Sequence, residues 1–324
     1  MASPNTTFTE LVSPTFRKHG TKFVDNTSRN NALYAYMMEK GNVEKESGGT
    51  TLVEPLDYAA NTTYQRYSGY DVLNVSASDV LTSAEFQWRQ VAINVVSSGL
   101  ETRINMGDSK IIALVKARIK NAMRTFRNNF SYDIYGDGTL ANQINGLQAL
   151  VSDTGTGTVG GIVSGTWPFW QNTVQSAAAP LQGGGAVTPS ATTIETQLML
   201  PLWLELVRGD DKPDLIISSN DYFSFFEASQ VSIKRYTDTA KGTAGFTSLK
   251  YKTADVIFDG GSGIPAAHMY FLNTDYIKMR VHRDANLSVL EDAKPYNQDA
   301  SVVPILWMGN MTISNRRLQG VLKA

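Results

Sequence analysis

Between Gly107 and Ile134 the sequence carries one unbroken amphipathic pattern, and no acidic residue falls between Asp108 and Asp133. At ~100° per residue, Ile111, Ile112, Val115, Ile119, Ala122, Met123, Phe126 and Phe130 fall on one stripe. Lys110, Lys116, Lys120, Arg124 and Arg127 fall on the opposite side, with Arg118 on the other flank of the stripe. Asp108 or Ser109 is the expected cap. Some 25 helical residues would run roughly 38 Å at 1.5 Å each, about the width of a domain. A solvated face is the plain reading of the charges. The missing Asp and Glu partners one turn away keep a second reading open, because a strip of like charge repels itself unless it faces an anion.

The rest of the chain bounds what such a beam can belong to. Its 324 residues suffice for one large domain or two ordinary ones, and an apolar share of 42% supports a real core. The net charge of −1 argues against a dedicated nucleic-acid binder, so any such contact must come from a local patch. The absence of cysteine excludes disulfides, thiolate metal sites and a cysteine nucleophile. His19, His268 and His282 are too scattered for the common zinc patterns. Met1 to Thr9 has no signal-peptide pattern, and no run of about 18 apolar residues predicts a membrane span.

Residues 1–50 read as an extended arm with one short helix, capped by Thr27 or Ser28, apolar through Ala32, Leu33, Ala35, Tyr36, Met37 and Met38, and ended by Gly41. Residues 51–98 read as a long hairpin. Tyr64, Tyr67, Tyr70, Val72, Leu73 and Val75 mark one β-prone run, and Phe86, Trp88, Val91, Ile93 and Val95 mark the return, with a bulge expected between Trp88 and Val91. An isolated two-stranded hairpin is marginal in water, so one with this many aromatics needs a surface to lie on, either its own domain or another's. Beyond the beam, residues 135–190 are glycine-rich, anchored by Trp167, Pro168, Phe169 and Trp170. Thr192 and Glu195 have capping-box spacing ahead of a leucine-rich helix that Pro201 should kink or displace and Gly209 should stop. Leu215–Ile217 predicts a buried strand, Asn220 the cap of a second helix, and Lys250–Phe258 a further strand. Tyr270–Val281 and Val302–Leu322 predict longer strands, the latter broken at Gly309 and Gly320. Helix, strand and helix in short succession imply a sheet covered by helices, an α+β arrangement.

Motifs for chemistry are weak. Gly155 to Gly160 satisfies the letters of a dinucleotide fingerprint, but Gly161 to Trp170 cannot open the helix that would hold the phosphate. Asp133 to Ile144 resembles a calcium loop that lacks its third and twelfth ligands. Asp210, Asp211, Lys212 and Pro213 read as a helix-exit turn. The sequence therefore nominates no catalytic, cofactor-binding or metal-binding residue.

The order of arm, long hairpin, spine-like helix, helix-and-sheet region and returning strands resembles the major capsid proteins of tailed bacteriophages with the HK97 fold. The resemblance spans nearly the whole chain. Local phrases carry it further: Gly146-Leu147, Val159 to Ile162, Trp167 to Trp170, Phe271 to Asp275, and Gly309 to Arg317 through Gln319-Gly320. It implies an N-terminal arm over 1–50, an E-loop over 51–98, a P-domain over 99–145 and 267–324 built on the spine helix, and an A-domain over 146–266. It also implies a structural, non-enzymatic chain, made in the bacterial host cytoplasm and housed in the virion. Its copies would form the hexamers and pentamers of an icosahedral shell, joined by a portal, around double-stranded DNA held by non-specific contact. Tyr64, Tyr67, Tyr70, Phe86 and Trp88 become candidate subunit-interface residues of the E-loop. Lys116, Lys120, Arg124 and Arg127 become a candidate DNA-facing surface of the spine helix.

Two departures sharpen these expectations. About two dozen residues before the first helix are too few for a domain, so a separate scaffolding protein is expected. No lysine occurs between Lys45 and Lys110, so the family's lysine–asparagine cross-link is not expected, and stability must come from buried area, hairpin overlap and, where present, a decoration protein. The competing readings are a tail-tube or decoration protein, and a nucleotide-binding enzyme using the Gly155 loop.

Overall fold

A computed structural model of the chain describes residues 31–104, 108–230, 248–259, 263–290 and 297–324. The expected arm over 1–30, with Thr27 and Ser28, lies outside the described residues. The first helix, α1 (Ala32–Lys40), is capped instead by Asn31, whose side chain accepts from the Tyr34 N–H. It ends as expected at Gly41, in the left-handed region at φ 77, where Asn42 N–H reaches back to the Met37 carbonyl.

Two sheets organise the molecule. The first has the order β1 (Val43–Glu46), β12 (Ile277–Val289), β13 (Ala300–Ile313), β4 (Arg89–Ser98). Here β1 adds to the edge of β12 in parallel, while β12–β13 and β13–β4 are antiparallel. A short helix, α2 (Gly99–Ile104), precedes the beam, α3 (Asp108–Tyr135), and a single turn, α4 (Leu147–Leu150), follows it. The apolar stripe of α3 is buried where side chains are described, at Ile119, Ala122, Phe126, Phe130 and Ile134. It seats on this sheet through Phe130, which stacks on Phe126 at 5.3 Å and meets Trp307 of β13 edge-on at 4.9 Å. Arm helix α1 packs on the same end of the beam, with Tyr34 edge-on to Phe130 at 5.8 Å and Asn31 donating to Ser131 at 2.9 Å.

The second sheet has six strands in the order β7 (Thr173–Ser176), β14 (Gly320–Lys323), β11 (His268–Leu272), β8 (Leu215–Ser218), β10 (Ala254–Phe258), β9 (Ser248–Tyr251). Both faces are buried. Leu215, Ile217, Tyr270, Leu272 and Val321 join the core shared with the beam, while Ile216, Met269, Phe271, Val256 and Leu322 face a second core under α5 (Leu200–Leu206) and α6 (Asn220–Ser229). A strand buried on both faces reads as a continuous apolar run, which is how Leu215–Ile217 announced itself.

Several expectations are corrected in detail. Lys250–Phe258 is a hairpin of β9 and β10, turning at Lys252 with φ 52, because Tyr251 pairs with Ala254. The strand expected over Tyr270–Val281 is interrupted by a 3-10 turn at Thr274–Tyr276, where Asn273 caps, and the chain passes there from one sheet to the other. Gly309 does not break β13. An added Cβ there would lie 2.6 Å from the Arg280 carbonyl oxygen and 2.8 Å from the Trp307 ring, so the glycine makes room for that ring inside the sheet. Ser219, not Asn220, precedes α6 as its cap residue. The Gly155 loop runs into a small hairpin, β5 (Thr158–Val159) and β6 (Ile162–Val163), turning at Gly160 and Gly161 with φ 59 and 78. Asp133 to Ile144 is the last turn of the beam and the loop after it, closed by Gln143 donating to Asp133 at 2.9 Å.

Pro201 acts as expected, by displacement. Residues Ile194–Met199 form a π-helical turn before α5. Pro201 cannot donate to the carbonyl one turn back, and the Gln197 carbonyl instead accepts from the Gln182 side chain at 2.6 Å and the Gln175 side chain at 3.4 Å.

Candidate assembly surface

The expected hairpin is real at its base only. Strands β2 (Leu52–Asp57) and β3 (Leu81–Phe86) pair antiparallel from Leu52 opposite Phe86 to Asp57 opposite Leu81. Alternation points Leu52, Glu54, Leu56, Ala84 and Phe86 inward, while Val53 and Leu81 face out. At Gln87–Trp88 the chain leaves this ladder, and β4 then pairs along its whole length with β13. The phase slip expected as a bulge is this change of partner.

Three contacts fix the stem. Buried Glu54 accepts from Arg280 Nε at 2.8 Å and from Thr312 Oγ1 at 2.8 Å, and Arg280 also pairs with Glu46 and, at 3.5 Å, with Glu44. One guanidinium thus ties the arm strand β1, the stem strand β2 and the sheet strand β12 together. Gly160 lies so close that an added Cβ would be 2.7 Å from the Ala84 Cβ, and its carbonyl accepts from the Glu85 N–H at 2.9 Å. Tyr58, just past β2, meets Trp167 and Phe169 with ring centroids 5.9 Å away in each case. Trp170 is buried and donates to the Val159 carbonyl at 2.9 Å, so the aromatic segment anchors its loop as expected.

Beyond the stem, residues 58–80 hold no strand, contrary to the β-prone run expected from Tyr64 to Val75. Side chains close the loop instead. Thr62 N–H donates to Ser78 Oγ at 3.1 Å, Gln65 Nε2 donates to the Val72 carbonyl at 3.0 Å, and Asn74 N–H donates to Gln65 Oε1 at 3.1 Å. Tyr64, Tyr67 and Tyr70 are 80%, 65% and 105% exposed, and Val72 and Val75 are exposed beside them. Burying a large apolar side chain is worth ~1.5–3 kcal/mol, so this tip forgoes a large stabilisation as long as nothing covers it.

The two remaining candidate interface residues are covered, wholly or in part, by their own chain. Phe86 is 2% exposed within its own chain, on the inward side of β3. Trp88 is half-buried, donates to the Gly49 carbonyl at 2.9 Å and meets His282 edge-on at 5.7 Å. Both are aromatics of the hairpin sequence, but alternation turns Phe86 into the core, and Trp88 sits at the crossover.

On the beam, Lys120 and Arg124 are exposed and Arg127 is half-buried, with its Nε buried and without a hydrogen-bond partner. The side chain of Lys116 lies outside the described residues. Among the described residues no carboxylate pairs with Lys120, Arg124 or Arg127. Arg118 differs. Its guanidinium makes two bonds of 2.8 Å to Glu101 of α2 and one of 2.7 Å to the Val96 carbonyl of β4, which ties the beam to the sheet edge. The Glu101 carboxyl is held below its ordinary range by the bonds from Arg118.

Sequence reasoning missed the most deeply buried charge. Arg316 is 0% exposed. It donates to the Leu150 and Trp170 carbonyls at 2.8 and 2.9 Å, to Ser164 Oγ at 2.7 Å and to Asn172 Oδ1 at 2.8 Å. Burial pulls its pKa down to about 10. Neutral acceptors scattered over 150–172 leave no local pattern that could have flagged it.

No family model matches the sequence, and no curated protein matches it. Solved structures do. The cyanophage A-1(L) capsid asymmetric unit matches with a TM-score of 0.62 at 15% identity, covering 87% of this chain and 90% of that one. The fold is that of phage capsid proteins. The capsid of Myoviridae phage XM1 matches with a TM-score of 0.54 at 11% identity, over 89% of this chain and 91% of that one. The satellite phage P4 procapsid, in a structure that includes its size determination (Sid) protein, matches with a TM-score of 0.50 at 9% identity, over 100% and 92%. The capsid fold thus accounts for nearly the full length, and its α+β, HK97-like architecture of hairpin, spine helix and helix-flanked sheet is the one the sequence resembled.

Proposed function

We propose that this chain is a major capsid protein, whose copies assemble as hexamers and pentamers into an icosahedral phage head around double-stranded DNA. The observation that carries this reading is the exposed aromatic tip on a rigidly seated stem, in a chain with the capsid fold. Among the described residues the tip has nothing to rest on in its own subunit, and a shell supplies a neighbour. The role is structural, without catalysis, and its place is the virion. Tyr64, Tyr67 and Tyr70 form the subunit contact.

The sheets suggest domains that depart from chain order. The four-stranded sheet with the beam makes the P-domain. The six-stranded sheet makes the A-domain, to which β11 and β14 then belong although they follow residue 266. The exposed cations Lys120 and Arg124 face the packaged DNA, and a separate scaffolding protein serves assembly.

Expressing the chain alone and with candidate scaffolding proteins, then imaging the high-mass fraction by electron microscopy, tests the reading. Closed polyhedral shells or regular hexameric capsomers support it. A monodisperse monomer under all conditions refutes it. Tubes or rings without closure would transfer the chain to the tail-tube class. In phage carrying Lys120→Glu and Arg124→Glu, shells should form normally but retain less DNA, and full genome content would refute the DNA-facing assignment.

A further inference from the structure

Beside the hairpin stem lies an open pocket of about 200 Å³, lined by Tyr58, Asp79, Leu81, Thr82, Ile162, Trp167 and Phe169. It is smaller than the ~300–1,000 Å³ of a typical small-molecule site, but has room for one side chain. Three of its walls are aromatic rings in mutual contact, with Trp167 47% exposed. Its one charged wall is Asp79, which is exposed and has no hydrogen-bond or ion-pair partner among the described residues. Aromatic faces next to an unpaired carboxylate attract a cation, and a guanidinium most of all, because it stacks on a ring while donating to the carboxylate.

The hairpin carries one such cation. Arg66 is the sole Lys or Arg between Lys45 and Arg89. It is exposed and, among the described residues, unpaired. Its own pocket is not where it sits. Going out from the stem, the chain crosses the Thr62–Ser78 bond and then the bonds from Gln65 to Val72 and Asn74 before it reaches Arg66. The eight residue steps from Tyr58 to Arg66 span at most ~29 Å at ~3.6 Å each, a reach suited to an adjacent subunit.

We propose that the pocket receives Arg66 from the hairpin tip of a second copy of this chain. The contact is head-to-tail, tip to stem, so it repeats from copy to copy and makes a ring where the rotation closes, rather than a symmetric pair. This inference rests on the capsid reading and adds to it the residue pair that sets which part of a neighbour the tip engages. A cation–π contact of ~0.5–2 kcal/mol corresponds to roughly 2- to 30-fold in association, so Arg66→Gln should weaken capsomer association by a factor in that range.

The absence of cysteine makes the direct test clean. A chain carrying Arg66→Cys and Thr82→Cys is assembled into particles, treated with a short bis-maleimide cross-linker whose spacer replaces the length of the arginine side chain, and run on a denaturing gel. The expected result is a ladder of covalent oligomers reaching five and six subunits, absent from either single variant. Shells that form but give no ladder, or stop at dimers, overturn this inference and leave the capsid reading intact. Wild-type protein that never assembles sinks both. If the cysteine pair blocks assembly, the reversal Arg66→Glu with Asp79→Arg replaces it. Shell yield lost in each single variant and restored in the double supports the contact, and a double no better than the singles overturns it.

Discussion

Replacing Arg316 by lysine should harm this fold more than replacing it by methionine. The guanidinium is fully buried, and its four close bonds all end on neutral acceptors. A pKa drawn down from the ordinary guanidinium range to about 10 corresponds to ~3 kcal/mol of penalty on the charged form. Methionine removes that penalty. It also orphans the Leu150 and Trp170 carbonyls, at ~1–3 kcal/mol each, while Ser164 still donates to the Gly157 carbonyl and Asn172 Oδ1 still accepts from the Ser152 N–H. The two orphaned carbonyls total ~2–6 kcal/mol, so after the ~3 kcal/mol relieved the balance is centred on a loss of about 1 kcal/mol and does not exceed about 3. Lysine keeps the buried charge, is more strongly hydrated in the unfolded chain, and cannot reach four acceptors arranged for a planar fork. Its loss should be about 3–5 kcal/mol, the range for leaving a buried charge poorly compensated. Urea unfolding of the unassembled subunit, followed by circular dichroism, reads both as midpoint shifts at constant slope. A lysine variant as stable as wild type, or more stable than the methionine variant, would refute the reasoning.

Three further outcomes follow from local geometry. His268 Nε2 lies 3.0 Å from Asp153 Oδ2 while Nδ1 faces the Ala266 carbonyl at 2.7 Å. Burial lowers the imidazole pKa, but these bonds outweigh it and raise the folded value above 6.5, while the bond from His268 holds the Asp153 carboxyl below 3.8. The histidine's contribution is therefore fully present below about pH 6.5 and is lost as pH rises through the raised value. The aspartate's contribution is lost only as pH falls through its depressed one. His268→Gln should flatten the alkaline limb of a Tm-against-pH curve, and an unchanged limb would remove His268 from the account. Gly309→Ala should cost ~1–3 kcal/mol in the same urea assay, because its Cβ collides with backbone and the Trp307 ring; a neutral result would mean that Trp307 shifts freely. Gln182→Ala should cost ~0.5–1.5 kcal/mol by depriving the Gln197 carbonyl of its shorter bond, and hydrogen exchange should rise first in α5. Protection unchanged there would show that Gln175 alone suffices.

The sequence made the beam legible because its 3.6-residue period runs unbroken and its apolar stripe is wide, and Ile119, Ala122, Phe126 and Phe130 are buried as that period requires. It made Leu215–Ile217 legible because burial on both faces leaves an unbroken apolar run. It did not make β1 legible: Val43 to Glu46 is three charged residues after a valine, and it is a strand because Glu44 and Glu46 find Lys278 and Arg280 on β12. The β9–β10 hairpin was hidden for another reason. Lys252 and Thr253 carry none of the Asn-Gly chemistry that usually marks such a turn, and Lys252 takes the left-handed conformation nonetheless.

The hairpin tip separates two meanings of a failed expectation. Tyr64 to Val75 has the composition of a strand, and within one subunit it forms none, because a strand needs a ladder partner and a surface for its aromatics. Phe86 differs in the opposite way, finding both partner and surface inside its own chain. The difference is visible in how each segment's polar groups are satisfied. The stem uses backbone pairing and a buried Glu54–Arg280–Thr312 cluster, whereas the tip relies on side chains such as Gln65 bridging its two sides. Side-chain closures of this kind are exposed to water and cheap to break, so a neighbour can remodel the tip at little cost while the stem holds its direction. A self-assembling subunit needs that division: a stem rigid enough to aim the hairpin, and a tip whose apolar surface is left unsatisfied until another copy covers it.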